Sequence, residues 1–381
     1  MDFSWSEEQE HFRDTVRRFA AAELNEGYLE REKAGEFNRS GWKRCAEIGI
    51  HGLPIPKEYG GAGQDALTTM GVLEALGYGC KDNGLIFSIN AHMWTLEIPL
   101  LNFGTEEQKK IWLSRLCSGE VVGANAMSEP GAGSDAYSLT TRAEKRGDRY
   151  VLNGGKVFVT NGPIADVYLV FATVDPEQGP NGITGFLVER ERKGLSIGAH
   201  AQKMGLKCSP MSEVYFDDCE IPEENRLGRE GAGKGLFTDS MTWERSCILA
   251  SAVGTMERIL ERSVAYANER KQFGQPIGKF QLIASKIVDM KMRLEASRAM
   301  LYRAGWLRSR GRSIFLEAAM AKLQISESLV LTAQDAMQIY GGYGYMAEFE
   351  MERELRDAMA SRIYSGSSEI QRLIIAPLVG L

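Results

Sequence analysis

The 381-residue chain lacks the cysteine and histidine patterns of a metal or disulfide protein. Its six cysteines (Cys45, Cys80, Cys117, Cys208, Cys219 and Cys247) include no CxxC pair, and its four histidines (His11, His51, His92 and His200) are scattered. This spacing argues against a zinc site and against a disulfide framework, so no metal is expected and a reducing cytoplasm is the simplest setting. A basic surplus is missing too. Lys and Arg number 45 against 51 Asp and Glu, for a net charge of −6. That excludes a general positive field for nucleic acid or an anionic membrane. No apolar run approaches the ~20 residues of a membrane span. The opening MDFSWSEEQEHFRD is acidic and amphipathic, without the basic start or apolar centre of a signal peptide. Neither nucleic acid nor membrane is an expected partner, and there is no internal repeat or low-complexity linker.

What is present changes texture twice. Residues 1–120 read as helices with short loops: Phe12, Val16, Phe19 and Ala20 mark one apolar face, and Thr105 before Glu106, Glu107 and Gln108 reads as an N-cap. Residues 121–230 carry short β-rich runs at 150–152, 156–160, 167–171, 183–188 and 212–216, separated by Gly, Asn, Pro and Asp. Most links are too short for crossover helices, which predicts an antiparallel barrel or sandwich. Residues 231–381 are helical again, with long periodic segments near 235–268, 279–309 and 315–340 and a last one near 350–380. The expected fold is α+β and mainly α: an N-terminal helical domain, a middle antiparallel β-barrel domain and a C-terminal four-helix bundle.

Glu244 stands out in the third region. It lies on the apolar face set by Met241, Ile248, Ala252, Met256, Ile259 and Leu260. A carboxylate on such a face is either satisfied by an arginine such as Arg245, or it is a general base with a raised pKa facing a substrate. Three glycine-rich stretches are also candidates. Gly228 to Gly235 nearly spells a phosphate loop but ends in Gly where Ser or Thr must bind magnesium, and it reads better as a connector. Gly341-Gly342-Tyr343-Gly344-Tyr345 is either a helix C-cap or a close backbone approach to a planar or phosphorylated ligand. Ser128-Glu129-Pro130-Gly131-Ala132-Gly133-Ser134-Asp135 offers backbone N–H groups and hydroxyls suited to a pyrophosphate or a polar flavin edge.

Taken together, Ser128–Asp135, Val157–Gly162, Glu269–Gly274, Gln281, Gln338–Gly342 and Tyr364–Arg372 resemble the acyl-CoA dehydrogenase family, in order and across the whole chain. The resemblance implies FAD. It gives Met127, Ser128, Gly133 and Ser134 contacts to the flavin ring and substrate, and Phe158 and Thr160 contacts to the ring. It assigns Arg270, Phe273 and Gln281 of one subunit, with Gln338, Gly341 and Gly342 of another, to the pyrophosphate and adenine side. Ser367 lies near the ring, and the shared site implies a homotetramer.

The pattern departs from most of the family at one position. Where the base is usually a Glu after a Tyr, this chain has Ser365 after Tyr364, and a hydroxyl is too weak to take a thioester α-proton. A minority of the family carries the Glu immediately before an Arg on the helix that opens the C-terminal bundle. Here that is Glu244 before Arg245, so the resemblance implies Glu244 as base and Arg245, with Ser134, toward the substrate. Burial would raise the pKa of Glu244 toward neutrality. Within the family the chain is most similar to enzymes that oxidise prolyl groups on a peptidyl carrier protein. The marks are Ser240–Arg245, Ile363–Gly366, and Cys80–Leu85 with Ala91-His92. The substrate implied is an acyl or aminoacyl thioester on phosphopantetheine, with oxygen or an electron-transfer flavoprotein as acceptor. Other readings are a short or branched acyl-CoA dehydrogenase, an acyl-carrier-protein dehydrogenase of polyketide extender-unit synthesis, a flavin monooxygenase of the same fold, and a flavin-free scaffold.

Overall fold

The computed structural model describes residues 4–381; Met1 to Phe3, the start of the acidic amphipathic stretch, lie outside the described residues. The N-terminal helices are α1 (Glu7–Glu23), α2 (Tyr28–Ala34), α3 (Arg39–Glu47), α4 (Ala66–Gly79), α5 (Asn83–His92), α6 (Ile98–Phe103) and α7 (Glu106–Cys117). Sequence-local signals start several of them. Ser6 and Gln9 form a reciprocal capping box on α1, and Thr105 with Gln108 does the same on α7, as its sequence predicts. Between α5 and α6, Met93–Glu97 widens into a π-helical turn.

The middle region is an eight-stranded sheet. Its strands are β1 (Gly123–Ala126), β2 (Arg142–Arg146), β3 (Arg149–Thr160), β4 (Val167–Thr173), β5 (Ile183–Glu189), β6 (Leu195–Ile197), β7 (Met211–Pro222) and β8 (Arg226–Leu227). They pair in the order β6-β7-β3-β2-β4-β5-β8, with β1 added on β4. Most ladders are antiparallel, as expected, but β1 and β2 each pair with β4 in parallel. The β2–β3 hairpin supplies the return path that a crossover helix would otherwise provide. The runs predicted at 150–152 and 156–160 are one strand, β3, whose register slips at Gly154. There φ is +145°, and a Cβ would lie 2.6 Å from the Thr141 hydroxyl, so only glycine fits. Along β4 the alternation is complete. Val167, Leu169 and Phe171 join the large core shared with the helices, whereas Tyr168, Val170 and Ala172 join a smaller core within the sheet.

The C-terminal region holds α8 (Gly233–Cys247), α9 (Ala250–Glu269), a small hairpin of β9 (Lys271–Gln272) and β10 (Gln275–Pro276), α10 (Gln281–Arg308), α11 (Phe315–Tyr340), α12 (Met351–Met359) and α13 (Ser368–Leu378). The single helix predicted over 235–268 is two, broken at Ile248–Leu249. Neither Pro nor Gly marks the break, and both residues are buried in the core. The helical segment predicted near 350–380 is also two. It is interrupted by a turn in which Ser365 has φ +57° and Gly366 φ +87°. Gly228 to Ala232 is a connector, and Gly233 to Gly235 open α8. All six cysteines are buried and free. Among the described residues no helix is long and apolar enough to cross a membrane.

Candidate active site

Glu244 lies on α8 and is 7% exposed. The Ser365 hydroxyl donates to its Oε1 at 2.5 Å. Its other oxygen, Oε2, is buried and has no hydrogen-bond partner among the described residues. Burial pushes the carboxyl above its ordinary value, against the opposing pull of the Ser365 hydroxyl, Arg245 and Lys322. Arg245 does not pair with Glu244: its Nε donates to the Ser365 carbonyl at 3.2 Å. The simple satisfied-carboxylate reading therefore fails. Lys322 of α11 is fully buried, donates to the Ser361 carbonyl at 2.9 Å, and has its pKa pulled down to about 8 by burial. The position expected to lack a base and the carboxylate expected to replace it, 121 residues apart in sequence, are in direct contact.

Two spaces lie along the same elements, though Glu244 lines neither. A small cleft of about 40 Å³ is lined by Phe87, Ile248, Ala252 and Tyr364 and by the polar Asn83, Glu354 and Asp357. The Phe87 and Tyr364 rings are 4.7 Å apart. A larger cavity of about 960 Å³ runs along α8 as far as Thr242, bounded by Asn181 and by the loop between α10 and α11. Arg229, Lys234, Arg308 and Arg312 line it, and none of them forms an ion pair among the described residues. Its one lining carboxylate, Asp239, accepts from Asn102 at 2.7 Å. The Arg308 guanidinium sits 3.4 Å over the Trp243 ring, which stacks in turn on Trp94. On a chain of net charge −6 this is a concentrated positive site that suits phosphate groups.

The residues that the resemblance gives to the cofactor fall into two groups. In the first, the Ser128–Asp135 loop is tied to β3. The Val157 N–H donates to the Ser128 carbonyl at 2.9 Å, and Lys156 Nζ reaches the Met127 carbonyl at 3.2 Å. Glu129 anchors the loop by accepting from Lys156 Nζ and from the backbone and hydroxyl groups of Thr140 and Thr141, all at 2.6–2.9 Å. Burial alone would raise the Glu129 pKa, but these partners hold it down to about 2. Met127 is buried, while Gly133 and Ser134 are exposed on the loop and lie outside the buried group around Glu244. Phe158 is 73% exposed at φ +57°, a left-handed backbone that an aromatic residue seldom adopts. Thr160 is partly buried at the end of the same strand.

In the second group, the Arg270 guanidinium lies 5.5 Å from the Tyr343 ring, which joins the α9–α10 connection to the end of α11 in the same chain. Phe273 is 93% exposed, again with positive φ, and Gln281, Gln338, Gly341 and Gly342 are exposed. A Cβ at Gly133, Gly341 or Gly342 would meet nothing within 4 Å, so backbone N–H groups are open to close approach there. Ser367 caps α13, two residues after Ser365. Exposed aromatic faces beside open glycine backbone fit a planar, phosphorylated cofactor. Sequence reasoning had no role for Lys156, Lys322, Arg308 or the Ser365 hydroxyl. The available signals were a lysine entering the β run at 156 and one between Ala321 and Leu323 on a helix.

The chain matches the family profiles for the acyl-CoA dehydrogenase N-terminal domain over residues 6–120, the middle domain over 124–219 and the C-terminal domain over 231–379. It is 42% identical over 377 residues to an L-prolyl-[peptidyl-carrier protein] dehydrogenase of Pseudomonas fluorescens, covering 99% of each chain. It is 43% identical over 371 residues to an acyl-CoA dehydrogenase of Bacillus subtilis, covering 97% of each. Among solved structures it is similar to the prolyl acyl carrier protein oxidase AnaB, with a TM-score of 0.98 and 51% identity over 99% of this chain and 100% of that one. It is also similar to PigA with FAD and proline, with a TM-score of 0.98 and 41% identity over 100% of both chains.

Proposed function

The chain belongs to the acyl-CoA dehydrogenase family, and from that premise we propose that it is an FAD-dependent oxidase or dehydrogenase of a carrier-protein thioester, L-prolyl-S-peptidyl carrier protein. The product is a pyrroline or pyrrole thioester in natural-product biosynthesis. The observation that carries this reading is the buried Glu244 with one oxygen held by Ser365 and the other unpartnered. Such an oxygen, on a carboxyl whose pKa burial has raised, is suited to take an α-proton. Glu244 acts ionised, so turnover falls as pH drops through its raised pKa.

Arg245 supports the turn that holds Ser365, and with Ser134 it is assigned to the substrate side. The four cations of the larger cavity support a phosphate-bearing arm. When bound, FAD supplies the hydride acceptor for the β-carbon. Met127, Ser128, Gly133, Ser134, Phe158, Thr160 and Ser367 would hold its ring end. Arg270, Phe273 and Gln281, with Gln338, Gly341 and Gly342 of a neighbouring subunit, would hold the rest. The exposed apolar residues Leu282, Val288 and Met292 support burial of α10 in a homotetramer. The electron acceptor is oxygen or an electron-transfer flavoprotein, and a cytoplasmic enzyme fits the free cysteines.

A second reading, a short or branched acyl-CoA dehydrogenase, is favoured by the 43% identity to the Bacillus subtilis enzyme and by a cavity whose cations would serve coenzyme A equally. An anaerobic titration followed by flavin absorbance separates them. Bleaching by prolyl-carrier protein, with none by butyryl- or isovaleryl-CoA, is the expected result. Bleaching by either acyl-CoA and none by prolyl-carrier protein would replace the first reading with the second.

A further inference from the structure

Ser365 cannot itself be a base, yet its surroundings hold it firmly. Its backbone is left-handed at φ +57°, a conformation that L side chains other than Asn and Asp seldom adopt. Its carbonyl is gripped from two sides, by Arg245 Nε at 3.2 Å and by Nε2 of the buried Gln371 at 3.1 Å. Gln371 also reaches the Gly366 carbonyl at 2.9 Å. These contacts fix an otherwise unfavourable turn, and the turn places a hydroxyl 2.5 Å from Glu244 Oε1. The other groups around the carboxylate are Arg245 from α8, Lys322 from α11 and the Tyr364 phenol, and none of them hydrogen-bonds to it among the described residues. Ser365 is its direct donor, and Oε2 is left bare.

We propose that Ser365 is a positioning residue for Glu244: it occupies Oε1, fixes the orientation of the carboxylate, and leaves Oε2 as the oxygen that takes the substrate proton. The inference rests on the reading of Glu244 as the base. The hydroxyl has a second consequence. A donor to the ionised carboxylate favours that form and offsets part of the effect of burial, so the base stays ionised at lower pH than burial alone would allow. The same hydrogen bond is released as the carboxylate becomes protonated, which resists proton uptake only modestly.

The test is the pH dependence of anaerobic flavin reduction in the FAD-loaded enzyme, for wild type, Ser365→Gly, Ser365→Ala and Glu244→Gln. Ser365→Gly removes the hydroxyl and relaxes the positive φ; Ser365→Ala removes the hydroxyl and keeps the strain. A change common to both comes from the hydroxyl. The expected result is an acid limb moved upward by about one pH unit in both, the size set by one hydrogen bond to a charged group. Flavin content and the thermal midpoint of Ser365→Gly should match wild type. An unmoved acid limb in both variants, with Glu244→Gln inactive, would overturn the positioning role and leave the base standing. A shift in Ser365→Gly alone would assign the effect to the relaxed backbone and overturn it too. Full activity in Glu244→Gln would remove the base and this inference together.

Discussion

Glu129 and Glu244 are both buried glutamates beside a buried lysine, and their surroundings drive them in opposite directions. Glu129 receives donors on both oxygens, among them Lys156 Nζ at 2.7 Å, and its pKa is held down to about 2. Among the described residues Glu244 receives one donor and keeps Oε2 bare, and burial pushes it upward. The nearby lysines differ in the same way, since Lys156 bonds directly to its carboxylate whereas Lys322 bonds to a backbone carbonyl. Burial alone therefore does not distinguish an anchor from a base. The number of satisfied lone pairs does, because a fully bonded carboxylate has nowhere to accept a further proton cheaply.

The comparison breaks most visibly on the anchor side. Lys156→Met should leave Glu129 buried and unpaired, lowering stability by about 3–5 kcal/mol in chemical denaturation. The double variant Lys156→Met with Glu129→Gln should recover part of it; no loss in the single variant would mean the pair is not an anchor. Glu244→Gln should move stability the other way. A carboxylate whose folded pKa is raised favours folding most at low pH and loses that advantage as pH rises through the raised value. At neutral pH its neutral isostere should hold or raise the melting temperature. Glu129, with a lowered folded pKa, contributes fully above its ordinary value of 4.5 and loses that contribution as pH falls toward about 2. Acid unfolding should thus be less steep in Glu129→Gln, and an unchanged slope would place the loss elsewhere. The smallest effect belongs to the cavity: Arg308→Ala should raise KM for the carrier-bound substrate about tenfold while leaving kcat near wild type. An unchanged KM would take the phosphate-bearing arm out of that cavity.

Much of this was legible in the residues. The helix–strand–helix order follows from periodicity and turn chemistry, and the capping box at Thr105 and Gln108 is local enough to read directly. Glu244 was visible because a carboxylate interrupts an apolar face. What escaped was set by tertiary packing. The break at Ile248–Leu249 carries no Gly or Pro. Strand β1 is too short and made of too small residues to announce itself, β2 is too polar, and the parallel pairing on β4 depends on where the β2–β3 hairpin folds. The contact between Ser365 and Glu244 spans 121 residues, and no local signal reports a serine held at positive φ by Arg245 and Gln371.

The most direct test of the central claim is single-turnover flavin reduction by prolyl-carrier protein in Glu244→Gln, measured anaerobically at a pH where the wild-type base is ionised. With FAD content and melting temperature retained, the rate should fall by about a thousandfold, within the range that a positioned general base contributes. Reduction at the wild-type rate would contradict the account, because the bare oxygen of Glu244 would then not be where the proton goes.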